Sequence, residues 1–371
     1  MDTPRGTSEW LLYTVLGAIA DVLSAILTSV MPDKRPQRSI AASDVDKLTD
    51  EEILVLSENA PDLHPDAAVF RLTPGTVAKA SQDMGGDIQD ASEANTLNLL
   101  FTETTIPVPR VRRVVKREWD FLIVIDYIPG STLAQVWPTF SIWKKIRIAF
   151  TLRRYVRQLR RLRGSATTPP VMVLAPRLSA NLYQALIGTD TPSTQRICGS
   201  PIFTQVRFRR GPFASYSELS AWFNKRHQMA MDIEKLPQDD PSRNDLFDDS
   251  RPLVMTHQDL NLRNIMIDED SRIWIIDWGW AGYYPEWFEY VAMEAQNEDD
   301  EISGTNDELW KAMIPFICGP YFKQERAWEA GMGFVLCLSE LKENRIFSID
   351  YVLCFVKSSL RLIRPIETAA K

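Results

Sequence analysis

THQDLNLRNIMID, residues 256–268, and RIWIIDWGWAG, residues 272–282, are the stretches that decide how this chain is read. The first continues an apolar run, breaks into polar residues, and returns to an apolar triplet before a short turn; the second is an apolar run that stops at Asp277. Asp and Asn at strand ends are ordinary turn formers, and any one of these residues alone reads that way. In combination they place Asp259 five positions before Asn264 and thirteen more before Asp277. A strand, a loop, a strand, a turn and a strand would bring the three side chains together. Such a set suits phosphoryl transfer, which needs a positioned divalent cation and an oriented hydroxyl more than covalent help. Asp277 can bind Mg2+ between nucleotide phosphates, Asn264 can supply a neutral oxygen to a hard cation, and Asp259 can accept the substrate proton. His257 would hold the loop through hydrogen bonds to nearby backbone.

Around this centre the chain divides by composition. Its 371 residues are 45% hydrophobic and 10% aromatic, enough for a packed core, and the net charge of −7 with both signs mixed argues against a nucleic-acid-binding surface over the whole molecule. Four cysteines without CxxC spacing and three histidines support neither a disulfide framework nor a zinc site, and point to buried thiols in a reducing compartment. A polar, Pro-containing link at 32–50 precedes a β-rich region read as strand, strand, helix, strand, strand over 50–128. There AAVFRL and TVAKAS are joined by TPG, and Leu97, Leu100 and Phe101 fall on one side of the helix. Pro129 and Gly130 then break the last strand, and helical patterns dominate the rest of the chain. The expected units are therefore 1–49, a hydrophobic helix and linker; 50–128, a small lobe; and 129–371, a larger lobe holding the loop 256–264 and the motif 276–282.

Two further segments admit more than one reading. Lys144–Arg163 holds nine Lys or Arg and no acid, with Ala149, Leu152, Val156, Leu159 and Leu162 at helical spacing. A core helix with a charged outer face accounts for it, as would a helix used by a membrane surface or nucleic acid. Trp10–Val30 is long enough to span a bilayer, and its one charge is Asp21, which would cost about 2.5 to 3.5 kcal/mol at a helix centre. Thr14, Gly17, Asp21, Ser24 and Thr28 form a small, polar stripe that reads equally as the solvent face of an amphipathic helix. Residues 10–30 could associate with a membrane, and if they span it, Lys34, Arg35 and Arg38 after them would leave the large domain in the cytoplasm.

The pattern H-x-D-L-x-x-x-N-I followed by I-I-D-W has the spacing of a kinase catalytic loop and metal motif. With IIDWGWAGYYPEWFEY, and with VAKAS, EANTLNLL, IPVPRV, LIVIDYIPGSTL and GPF, it makes the chain resemble the aminoglycoside phosphotransferase and choline kinase-like superfamily, in particular its fungal-type phosphotransferase-domain branch. The likeness extends over roughly residues 50 to 365. It implies an α+β, two-lobed protein-kinase-like fold, with a small β-rich N-lobe, a larger mainly helical C-lobe, and an extra N-terminal helix outside it. It implies ATP or GTP as co-substrate, Mg2+ at the site, and a small-molecule hydroxyl as acceptor. By position, Lys79 resembles the strand lysine that meets the nucleotide's inner phosphates and Glu93 its helix partner. Asp126 and Ile128 resemble the hinge positions whose backbone meets the base.

Three departures accompany the likeness. No G-x-G-x-x-G precedes Lys79, only RLTPGTVAK; Gln258 stands where many relatives have Gly; and the motif at Asp277 reads D-W-G-W. The missing glycine loop motivates the alternative of a catalytically inactive kinase-like binding or scaffold protein. Aromatics from Trp278 to Tyr290 with Glu286, Glu289 and Glu294 could form a site for a cationic alcohol. They are also the composition of lobe packing, with the run EDDE at 298–301 as a solvated loop.

Overall fold

The computed structural model describes residues 6–30, 42–64, 67–81, 91–118, 120–164, 171–172, 198–199, 202, 209–210, 213, 215–233, 235–244, 246–302 and 307–328. Helix α1 (Thr7–Val30) and helix α2 (Asp50–Asn59) come first. Thr49 starts α2 with a reciprocal box: its hydroxyl accepts the Glu52 N–H and the Glu52 carboxylate accepts the Thr49 N–H. Strands β1 (Asp62–His64), β2 (Ala67–Thr73), β3 (Thr76–Ala80), β4 (Val111–Lys116) and β5 (Phe121–Asp126) build a five-stranded antiparallel sheet in the order β1-β2-β3-β5-β4. Helix α3 (Ser92–Glu103) lies between β3 and β4 in the chain. The sequence pattern predicts the two strand pairs and α3; α2 and the edge strand β1 are additions to it.

Strand periodicity sorts this sheet's two faces. Leu122 and Val124 of β5 join Ala78, Val115, Ile53 and Val45 in one cluster, while Phe121 and Ile123 join Ala91 and Ala94 beside α3 in another. Val45 lies in a short turn at Asp44–Lys47, so this turn packs with the sheet although it precedes Asp50. The register pairs Lys79 with Ile123, and residues directly opposite share a face. Lys79 therefore points to the face that α3 covers.

Past β5 the chain crosses to the second lobe through β6 (Ser131–Thr132). A Cβ at Gly130 would stand 2.3 Å from the Ile267 carbonyl oxygen, so only glycine lets the crossing approach that strand so closely. Helices α4 (Leu133–Val136) and α5 (Ile142–Leu159) come next. Strands β7 (Val171–Met172), β8 (Cys198–Gly199) and β9 (Arg209–Arg210) are short, and α6 (Tyr216–Ile233) packs Leu219 and Phe223 into the core. Strands β10 (Val254–Thr256), β11 (Ile265–Ile267), β12 (Ile273–Ile275) and β13 (Gly282–Tyr284) form two small sheets, β10-β13-β7 and β12-β11-β6. Helices α7 (Phe288–Ile302), α8 (Glu308–Cys318) and α9 (Phe322–Ala327) complete the described chain.

The charged helix α5 is a core helix: Ile148, Leu152, Val156 and Leu159 are buried against the main cluster. Two of its arginines act as ties. Arg160 donates to the Glu286 and Cys318 carbonyls, and Arg153 to the Phe316 carbonyl. The expected loop at EDDE is instead part of α7. Arg243 anchors the acidic stretch before β10 by donating to the Leu236 and Pro237 carbonyls.

The solvent-face reading of the stripe on α1 is inverted. Gly17 is buried and Asp21 turns inward, where Arg153 donates to it at 2.8 and 2.9 Å and Arg157 donates as well. Tyr13 donates to the Ala312 carbonyl of α8 and meets Phe322 edge-on. The large aliphatic residues of α1 from Leu11 to Ile26 face outward. Cys337, Cys354, the helices read beyond Trp328, and Gly211 and Pro212 of the GPF turn lie outside the described residues, while Cys318 is a buried free thiol.

Candidate functional site

The loop 257–264 connects β10 to β11, and the turn 268–272 returns the chain through β12 to Asp277. The loop is held first by its own asparagines. Asn261 donates to one carboxylate oxygen of Asp259 and Asn264 to the other, both at 2.8 Å. The Asn261 side-chain carbonyl in turn accepts the backbone N–H groups of Arg263 and Asn264. Burial, with the nearby Asp277 charge, pushes the Asp259 carboxyl up to about 7; Arg263 and the two amide donors oppose the shift.

His257 is fully buried and lies against Trp278, ring centres 4.4 Å apart. Its Nε2 meets the Ile276 carbonyl at 3.0 Å, and its Nδ1 accepts the Asp259 N–H at 3.1 Å, a pairing that requires the Nε2–H tautomer. Burial lowers its pKa to about 4, so the ring is neutral near pH 7 and ties the loop to the strand before Asp277.

From the other lobe, Lys79 reaches both acids at once. Its Nζ lies 2.8 and 2.9 Å from the two oxygens of Glu93 and 2.6 Å from Asp277 Oδ1. Burial alone would lower the lysine's pKa, but Glu93 and Asp277 outweigh it and the ammonium is held charged. Burial works to raise Asp277, and Lys79 overcomes it, so Asp277 stays below the usual carboxylate range. Glu93 is pushed upward, burial outweighing its lysine. It also accepts the Trp278 N–H at 3.1 Å. Strand β3, helix α3 and the segment after β12 thus meet at one ammonium, and Asp277 keeps 41% of its side chain exposed.

Backbone strain concentrates here. Gln258 at φ +69 and Asp277 at φ +61 occupy the left-handed region, two of four non-glycine residues to do so among the described residues. Glycine fits that conformation at no cost, the physical reason Gln258 is a departure from the pattern. Glu289, at the start of α7, supports the strained turn from behind. It accepts the His257 N–H at 2.5 Å and the Gln258 N–H at 3.3 Å, and burial raises its pKa to about 7. No local pattern marks Glu289 for this position, more than thirty residues past the loop's start.

Most of the acidic and aromatic cluster is engaged in packing and support, as the lobe-packing reading has it. Glu289 is committed to the loop, Glu286 pairs with Arg251, and Trp278, Tyr284, Trp287, Phe288 and Tyr290 are buried in the lobe core. At the expected hinge, the Asp126 N–H donates to the Arg110 carbonyl and the Asp126 carboxylate accepts the Arg112 Nε–H. The Asp126 N–H is therefore already committed within its own lobe. Ile128, two residues on, is buried. The turn between β2 and β3 is Pro74–Gly75, too short to cover a triphosphate.

For a cation, the exposed side of Asp277 and the Asn264 oxygen are hard donors. Among the described residues, no cluster of three or more His, Cys, Asp or Glu forms a self-sufficient metal cage. Two protein oxygens fit Mg2+, which is commonly held by one or two side chains with phosphate and water completing its shell.

An antiparallel sheet presenting a carboxylate-held lysine to a helical lobe whose loop clamps an aspartate is the arrangement of a two-lobed, kinase-like phosphotransferase. The model of the phosphotransferase enzyme family (APH) matches residues 89–303, more than half of the chain, and the chain belongs to this family. No curated protein matches the sequence. Among solved structures it is similar to a thermostable mutant of aminoglycoside phosphotransferase APH(4)-Ia with ADP and hygromycin B. That pair is 11% identical over 80% of this chain and 90% of that one, with a TM-score of 0.41. An aminoglycoside 2'-phosphotransferase-IIIa mutant with GDP is 14% identical over 84% and 86%, TM-score 0.40. APH(3'')-Id from Streptomyces rimosus with ADP and streptomycin is 18% identical over 76% and 97%, TM-score 0.37.

Proposed function

We propose that this phosphotransferase moves the γ-phosphoryl group of ATP or GTP to a hydroxyl of a small molecule, with Mg2+ bound. The observation that carries the reading is the Lys79–Glu93–Asp277 network, which joins two lobes at 2.6 to 2.9 Å beside the clamped Asp259. Lys79, kept charged by Glu93, meets the inner phosphates. Asp277 and the Asn264 oxygen hold the cation, which supplies charge stabilisation to the phosphates when bound. Asp259 takes the acceptor's proton, and its raised pKa suits a base working near neutral pH. Asn261 and Asn264 aim its two oxygens, and His257 positions the loop without touching reacting atoms. The Asp126 carbonyl and Ile128 backbone border the base. Residues 50–128 and 129–371 act as the two lobes of the cleft.

A second reading, a kinase-like binding or scaffold protein without turnover, is favoured by the two-residue turn before Lys79, which leaves the phosphates without a glycine-rich cover. Thermal unfolding of the full chain with ATP or GTP, with and without Mg2+, tests the nucleotide site on which the first reading depends. A ligand at 100 times its dissociation constant stabilises the native state by about 2.7 kcal/mol. A Mg2+-dependent rise in Tm that Asp277→Ala abolishes is the expected result; no rise with either nucleotide would favour the scaffold.

A further inference from the structure

We infer that the outer face of α1 seats the protein on an anionic lipid surface, with the helix lying in the plane of the membrane and still docked on α5 and α8. The inference stands apart from the reaction chemistry and rests on three observations.

The first is the orientation of α1. Its 24 residues make a rod about 36 Å long. Leu12, Leu16, Ile19, Val22, Leu23 and Ile26 recur at helical spacing on one side, each between 43% and 59% exposed. The opposite stripe, Gly17 and Asp21 included, is taken by α5 and α8. A soluble helix ordinarily presents these faces the other way round.

The second is charge. The single acid between Trp10 and Val30 is turned inward onto Arg153 and Arg157, so no negative side chain interrupts the outer face. On α5, whose Arg157 donates to Asp21, Trp143, Arg147 and Phe150 follow one another at four- and three-residue steps and are all exposed, with Trp143 at 77%. In a chain of net charge −7, an apolar row on a helix docked against one that exposes arginines and a tryptophan is the composition an anionic lipid interface selects.

The third is the ion pair itself. Crossing the bilayer would strip Asp21 from Arg153, whose side chain is only 12% exposed, and leave both charges unpaired. Lying flat keeps the pair intact and buries only the outer row. By length and composition α1 could cross a membrane; its docking on the lobe selects the in-plane arrangement.

The test is co-sedimentation of the full chain with phosphatidylcholine vesicles and with vesicles containing phosphatidylserine. Binding to the anionic vesicles, weakened by salt, is expected, as is release at pH 11 in carbonate. Ile19→Asp with Val22→Asp should abolish binding while leaving Tm unchanged, since both side chains are about half exposed. Arg147→Glu should weaken it at least fivefold. No binding by the full chain, binding retained by the double variant, or equal binding to both vesicle types would overturn the inference. So would retention in carbonate, which would mean that the helix spans. A dimer in light scattering that the double variant dissociates, without vesicle binding, would assign the face to a second copy instead.

Discussion

The loop 256–264 and helix α1 solve the same problem over different distances. Each turns an aspartate inward and surrounds it with donors, Asp259 by Asn261 and Asn264, Asp21 by Arg153 and Arg157. In the loop the partners lie two and five residues away; on α1 they lie more than 130 residues away. Local partnership leaves a spacing that can be read, and distant partnership leaves a stripe whose direction cannot. The same polar pattern therefore marks the proposed reaction centre in one region and a docking seam in the other.

The largest expected effect breaks this comparison at the loop. Asp259→Ala should lower kcat by about 10² to 10⁴, the usual weight of a general base, while keeping any Mg2+-nucleotide rise in Tm. For the unaltered chain, kcat/KM should climb as pH rises toward about 7 and then level, because Asp259 must lose its proton to act and burial holds that proton on. A flat profile from pH 5 to 8 would remove Asp259 from the role of base.

A smaller effect tests the seam. Asp21→Ala leaves Arg153 with a largely buried charge and one fewer carboxylate, and should cost about 2 to 3 kcal/mol in denaturant unfolding. Arg157 is nearly half exposed, so Arg157→Ala should cost under about 1 kcal/mol. Equal costs for the two variants would mean that the seam does not depend on the buried pair.

The smallest effect sharpens the contrast through Glu289, whose partners His257 and Gln258 are distant in sequence like those of Asp21 but serve the loop. Glu289→Gln removes one acceptor from two buried N–H groups and should cost about 1 to 2 kcal/mol at pH 5. Glu289 has a folded pKa of about 7 against an ordinary 4.5, so the folded state holds the extra proton. Its contribution is complete below about 4.5 and is lost as pH rises through 7. The penalty of the substitution should therefore shrink between pH 5 and pH 7; a constant penalty would show that Glu289 does not titrate in that window.

The H-x-D-L-x-x-x-N-I and I-I-D-W spacings, the β-rich then helix-rich order, and the apolar face of α5 were all legible from the chain, because each rests on neighbours within a turn or a strand. Glu93 and Lys79 could be named only by likeness to a family; the β3–β5 register, which sets Lys79 opposite Ile123 and under α3, is what joins them. The support from Glu289, the burial of Trp278, Tyr284, Trp287, Phe288 and Tyr290, and the inward turn of Asp21 were decided by tertiary packing. Their partners lie across the fold, where burial makes an unmatched carboxylate costly and so selects which face of a helix turns in. The sequence determined which side chains could do chemistry or bury apolar surface; the fold decided which of them face one another.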